Sequence, residues 1–245
     1  MMTTCLISMG GNLGDVALAI DDAIRRLQQT PGIGVFQRSS LFRTQPVGAD
    51  AGSEFVNAAA VLETSLSAHQ LLIRLLAIET EFGRVRTIHW GPRTLDLDLL
   101  FFGNEVINDS PRLIVPHPTC WYRRFVLDPL AEIAPHFVHP GKQASVVELL
   151  RRLLVRPLPI CLVGNTEQVE TLIADLQPKF PNADLRCCHP LRDAPANVAG
   201  LVIQLSPIRS NTFAVWSHHI GWLDASGHPD RQHQAVVDIL CSAGL

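Results

Sequence analysis

The run Thr94 to Phe102, TLDLDLLFF, constrains this chain more than any other segment. Side chains alternate across a strand, so residues i and i+2 share a face. Read as one strand, the run sets Leu95, Leu97, Leu99 and Phe101 on a continuously apolar face that has to be buried. Thr94, Asp96, Asp98 and Leu100 take the other face. The two carboxylates then stand side by side, roughly 6–7 Å apart at the backbone. Like charges so close repel unless a cation lies between them. Hard divalent ions with oxygen ligands meet that need, and magnesium is usual where phosphate also binds. A half-exposed edge strand shows the same alternation, so the acid pair alone decides nothing. Its surroundings add more. Arg84, Arg86 and Arg93 precede it, Arg112 and Arg123 follow, and Trp90 offers a flat ring face. Guanidinium groups grip phosphate bidentately and balance charge on a transferring phosphoryl group. Trp90 to Asp98, WGPRTLDLD, therefore reads as the core of a magnesium-dependent, ATP-using transfer site.

Charge supports a local anion site rather than a general one. Up to Arg156 the chain carries 15 basic and 15 acidic residues; from Pro157 onward it carries 5 and 8. A net charge of −3 argues against a general nucleic-acid binder. The two lysines, Lys142 and Lys179, do not sit in a G-K-[ST] string, which excludes an ordinary P-loop. Apolar residues make up 47% of the chain, ample for a core. The apolar runs fall short of the ~18 residues of a membrane span, and Met1 to Gly10 lacks the basic start of a secretory leader. A reduced cytoplasmic setting is the expectation, with Cys187-Cys188 read as strand filler.

Periodicity predicts strands at 4–9, 34–42, 55–63 and 94–102, with helices at 15–29 and from the N-cap Ser67 to about 82. The order β-α-β-β-α-β is that of a split βαβ, ferredoxin-like α+β domain: a mostly antiparallel sheet with helices on one face. Residues 116–135 read as loop plus a short helix, and Ser145 caps a helix to 154. Arg156-Pro157-Leu158-Pro159 reads as a boundary, giving domains 1–156 and 157–245. The second opens with a strand at 160–163, Gly164-Asn165-Thr166 and a helix to about 176. Strand-like runs follow at 185–188, 201–205 and 213–216, then a helix at 232–240. It reads as a small α/β unit with a packing, self-associating or regulatory role and no catalysis. Its histidines read as surface or structural rather than as metal ligands.

Six strings in order carry a resemblance: GGNLG at Gly10, SSLFRTQPVG at Ser39, FVNAA at Phe55, ETEFGRVR at Glu79, WGPRTLDLDLLFFG at Trp90, and the segment from Pro116 to Leu130. Across about 5–154 the chain resembles the 6-hydroxymethyl-7,8-dihydropterin pyrophosphokinases of folate synthesis. The resemblance implies transfer of pyrophosphate from ATP to the pterin hydroxymethyl, leaving AMP. It implies Asp96 and Asp98 as ligands of Mg2+, two ions per site, and Arg84 and Arg93 as catalytic arginines. Asp98 also stands as a candidate for taking the pterin hydroxyl proton. Glu79, Arg86, Arg112, His117 and Arg123 would contact ATP, with Glu79 a helix-surface residue beside the adenosine. Thr44, Val47, Phe55, Asn57, Trp90 and Phe125 would hold the pterin, stacked on its faces and paired along its edge. The loops 44–53 and 83–92 would close over both substrates. The chain departs from the family's pattern at Gly11, Leu76, Ile114 and Pro118.

Overall fold

The computed structural model describes residues 1–45, 53–83, 93–188, 200–205, 222–224 and 232–245. It divides into two compact units, Met1–Leu149 and Leu150–Leu245. The division falls inside a helix, ahead of the proline-rich run that the sequence offered as the boundary.

The first unit is built on a sheet of β1 (Thr3–Gly11), β2 (Ile33–Arg38), β3 (Phe42–Thr44), β4 (Phe55–Thr64) and β5 (Asp96–Phe102). The order is β2-β4-β1-β5, β3 pairs with β4, and every pairing is antiparallel. The expected single strand at 34–42 is thus two, separated near Ser39. Ser39 joins them to β4: its N donates to Ala59 O and its Oγ accepts from Ala59 N, both at 2.9 Å.

Helices α1 (Val16–Gln28) and α2 (Ala68–Glu81) form where a cap meets an apolar stripe. Asp15 caps α1 by accepting from Leu18 N. Ser67 and Gln70 cap α2 reciprocally, each side chain taking the other's backbone amide. Val16, Ala19, Ile20, Ala23 and Leu27 of α1 join Leu71, Leu75 and Ile78 of α2 in one core with Ile7, Met9, Leu97 and Leu99.

The sheet's other face is also covered, which corrects the expectation of helices on one side only. Helix α3 (Arg124–Ile133) packs against β4 and β3. Its Val126, Leu127 and Leu130 are buried, as are Leu6 and Ala59, which alternate out of the α1–α2 core. Alternation in β5 is broken too. Ile7 pairs with Leu99 but Leu6 pairs with Phe101, so Leu100 is an extra residue, a β-bulge. Phe102 consequently enters the α1–α2 core, while Phe101 meets Phe137 at 4.8 Å and His139 at 5.3 Å between ring centres. The expected face of Leu95, Leu97, Leu99 and Phe101 loses its last member to this one-residue shift.

Two short hairpins escaped the sequence reading: β6 (Ile107–Asp109) with β7 (Leu113–Val115), and β8 (Val138–His139) with β9 (Ala144–Ser145). They are two to three residues long, too short for periodicity to register. Helix α4 (Val146–Leu154) follows, with Glu148 accepting from both the N and Oγ of Ser145.

The second unit holds β10 (Leu158–Val163), α5 (Thr166–Leu176), β11 (Ala183–Cys187), β12 (Leu201–Gln204), β13 (Trp222–Asp224) and α6 (Gln232–Ser242). Its sheet, ordered β11-β10-β12-β13, is wholly parallel. Cys188 is not a filler: it forms a disulfide with Cys161 of β10, while its neighbour Cys187 is exposed and outside that bond. His233 pairs with Asp175 at 2.6 Å. The run 213–216, the pair His218-His219 and His228 lie outside the described residues. Among the described residues no helix is long and apolar enough to cross a membrane.

Candidate active site

Among the described residues, strand β5 lies at one end of the sheet order, so amides on its outer side have no neighbouring described strand to bond. Leu97, between the two acids, donates its N–H at 2.7 Å to the Glu79 carboxylate. Glu79 is 2% exposed, which corrects its expected place on the helix surface. A buried carboxylate is tolerated where strong donors meet it, and a backbone amide aimed from β5 is one. Glu79 therefore fixes the strand along its outer edge, and Asp96 and Asp98, both half-buried, flank the fixed residue in sequence.

Arg93 enters this strand and reaches back to Asp96, with its guanidinium 2.5 Å from the carboxylate. Two-thirds or more of each side chain is covered, so the pair is less screened than a surface bridge. The backbone of Arg93 is held by the GGNLG turn. Arg93 O accepts from Asn12 N at 2.9 Å and Leu13 N at 3.2 Å, and Arg93 N donates to Asn12 Oδ1 at 3.0 Å. Asn12, 7% exposed, also donates through Nδ2 to Ser53 O at 3.2 Å and accepts from Ser53 Oγ at 2.7 Å. A Cβ at Gly11 would stand 2.4 Å from Thr94 O, so only glycine permits this approach.

Register places a second feature beside the acids. Gly10 pairs with Asp96 on one side and with Asn57 on the other. Residues in such a row share a face, and with strands about 4.8 Å apart the outer two stand some 10 Å apart at the backbone. Gly10 contributes no side chain, so the row is a trough with an amide at one wall and a carboxylate at the other. Its space is limited on the Asn57 side, where a Cβ on Gly10 would meet Asn57 Oδ1 at 2.6 Å. Thr44 Oγ1 accepts from Asn57 Nδ2 at 2.8 Å, orienting that amide, and Phe55 pairs with Thr44 in register.

The segment after β7 supplies cationic groups. His117 N donates at 2.9 Å to Leu100 O, the carbonyl of the bulged residue. Burial pushes the His117 imidazole below its usual range; Asp98 opposes the shift, Arg123 adds to it, and Asp96 opposes it. Asp98, Arg123 and Asp96 thus all lie within electrostatic reach of His117. Arg123 lies 5.5 Å from the Phe125 ring centre, and Phe125 is the second residue of α3. Nearby, Lys142 lies 3.9 Å over the Trp121 ring, and burial lowers its ammonium pKa to about 8 despite an opposing pull from Cys120. Arg112 stands apart, exposed in the turn between β6 and β7.

The structure thus gathers Arg93, Asp96, Asp98, His117 and Arg123 at one end of β5, and Thr44, Phe55 and Asn57 across the sheet from them. Val47, Arg84, Arg86 and Trp90 lie outside the described residues. Asn12 was not singled out from the sequence; a lone amide inside a glycine turn was the signal. The donor set suits magnesium. Two partly exposed carboxylates with arginines around them match an ion that takes one or two carboxylates and completes its shell with water and phosphate oxygen. Among the described residues no cluster of three or more His, Cys, Asp or Glu offers a full cage for a metal.

Comparison with known proteins gives a consistent picture. Residues 6–135 match the model of the family 7,8-dihydro-6-hydroxymethylpterin-pyrophosphokinase (HPPK). The 2-amino-4-hydroxy-6-hydroxymethyldihydropteridine pyrophosphokinase of Synechocystis is 43% identical over 148 residues, 60% of this chain and 75% of that protein. The enzyme of the same name from Methylorubrum extorquens is 43% identical over 152 residues, 62% of this chain and 94% of its own length. A crystal structure of Plasmodium falciparum HPPK-DHPS with SDX-DHP is similar in fold, with a TM-score of 0.50 and 12% identity over 97% of this chain and 70% of that one. An HPPK-DHPS in complex with substrates gives a TM-score of 0.49 at 12% identity over 86% of this chain, and this chain spans 59% of its length. The chain is a member of the HPPK family of pyrophosphokinases.

Proposed function

We propose that this chain transfers a pyrophosphoryl group from ATP to the hydroxymethyl of 6-hydroxymethyl-7,8-dihydropterin, in folate biosynthesis. The row Asn57–Gly10–Asp96 carries the reading. A flat heterocycle seated over the glycine meets an oriented amide along its edge and brings its hydroxymethyl toward the acids. The hydroxymethyl oxygen bonds to the β-phosphorus, the bond from that phosphorus to the oxygen bridging it to the α-phosphate breaks, and AMP leaves. The hydroxyl proton passes to Asp98 or to water. Thr44, Val47, Phe55, Asn57, Trp90 and Phe125 hold the pterin, with aromatic faces above and below the ring. Arg84 and Arg93 balance charge on the moving group, and Arg86, Arg112, His117 and Arg123 bind ATP. Glu79 serves better as the clamp on Leu97 than as a direct adenosine contact, because its carboxylate is buried and engaged.

Magnesium, two ions per site, supplies positive charge shared by Asp96, Asp98 and the ATP phosphates when bound. The strand order β2-β4-β1-β5 supports a ferredoxin-like, split βαβ description of the pyrophosphokinase domain, residues 1–156. The chemistry belongs to that domain, in a cytoplasmic protein whose residues 157–245 form a non-catalytic α/β domain serving packing, self-association or regulation. The test is to supply ATP, magnesium and the hydroxymethyldihydropterin and to identify the nucleotide product. AMP is expected; ADP or no turnover refutes the proposal.

A further inference from the structure

We propose that Asn12 is a positioning residue for the transfer step, acting through Arg93; the inference rests on the reading just given. One side chain holds two segments that approach the site from different directions. Its Oδ1 accepts from Arg93 N and its Nδ2 donates to Ser53 O, while its backbone N–H reaches Arg93 O. The same Arg93 directs its guanidinium to Asp96. An amide is needed here, because one side chain must accept from one strand entry and donate to another. Burial at 7% exposure keeps water from replacing either bond. Asn12 also follows Gly10 and Gly11, which register with Asn57 and crowd against Thr94. A shift of the junction therefore moves Arg93 relative to Asp96 and to the glycine trough together. Displacements near 1 Å at such a group cost on the order of a hundredfold in rate.

Turnover of the full chain reads this through a double-mutant cycle, since groups that act as a unit are non-additive. Asn12→Ala should lower kcat by about ten- to a hundredfold. Placed on an Arg93→Ala background, it should change kcat by less than about twofold. Asn12→Asp retains the acceptor for Arg93 N, the bond through which Asn12 acts, but loses the donor to Ser53 O, so it should recover part of the loss. Equal losses from Asn12→Ala with and without Arg93 would overturn the inference, as would an Asp variant no better than Ala. Should Asn12→Ala not fold, the Asp variant, alone and on the Arg93→Ala background, decides. Wild-type protein that forms no AMP refutes the function itself; active wild type with an indifferent Asn12 refutes only this inference.

Discussion

Replacing Glu79 distinguishes a strand clamp from a nucleotide contact. In the structure its carboxylate accepts from Leu97 N at 2.7 Å and the residue is 2% exposed. Glu79→Ala leaves a buried amide without this acceptor, at about 2 kcal/mol, and adds a small cavity worth about 1 kcal/mol more. The expected loss is thus about 3 kcal/mol, large against the 5–15 kcal/mol typical of domains. Glu79→Gln keeps an oxygen in place and should stay within about 1 kcal/mol of wild type. Urea unfolding of the full chain measures the difference. Exchange of the Leu97 amide localises it: about a hundredfold faster in the Ala variant if opening of that bond limits exchange. Turnover should fall with Ala and largely survive with Gln. The clamp is refuted if Glu79→Ala keeps its stability within 0.5 kcal/mol while raising the KM for ATP alone.

Other perturbations test neighbouring parts. Asp96→Ala or Asp98→Ala should lower kcat by at least about a thousandfold, and titrating magnesium in turnover assays checks whether the metal requirement changes. Gly10→Ala crowds Asn57 at 2.6 Å and should raise the pterin KM by about tenfold with little effect on the KM for ATP, measured by steady-state kinetics. Burial, helped by the Lys142 charge, lowers the His139 pKa to about 4, below the usual 6.5. The unfolded chain therefore binds that proton first as pH falls, so stability is full above pH 6.5 and drops by about 2–3 kcal/mol on the way to pH 4. His139→Asn should flatten that part of the stability–pH curve. Reducing the Cys161–Cys188 bond, which closes a 27-residue separation, should release two thiols and destabilise the second unit by about 3 kcal/mol, followed by thermal melts with and without dithiothreitol.

Much of the scaffold was readable because local chemistry and packing agree. Ser67 capped its helix as expected, and Val16, Ala19, Ile20, Ala23 and Leu27 lie on the buried stripe that their spacing describes. What escaped depends on partners distant in sequence. Nothing local tells that Glu79 turns inward, because its donor lies 18 residues on in another element. The Asn12 junction joins residues 41 and 81 positions apart. The bulge was hidden because TLDLDLLFF shows a perfect two-residue rhythm until Leu99, and the extra residue is itself a leucine. The disulfide depended on two parallel strands lying side by side, a pairing that cysteine spacing does not encode.

That one odd leucine has a wider consequence. Ahead of it, β5 speaks to one interior through Leu97 and Leu99; beyond it, the same strand answers to another through Phe101. The leucine works like the coupling between two shafts turning out of phase. Its carbonyl, Leu100 O, is where the segment bearing His117 is fastened. Deleting Leu100 would therefore do more than shorten a strand. The pairs Ile7–Leu99, Leu6–Phe101 and Cys5–Phe102 would close into an unbroken ladder with each aromatic on its present side, but the carbonyl that fastens the segment bearing His117 would be gone, while the letters of the acid motif stay untouched.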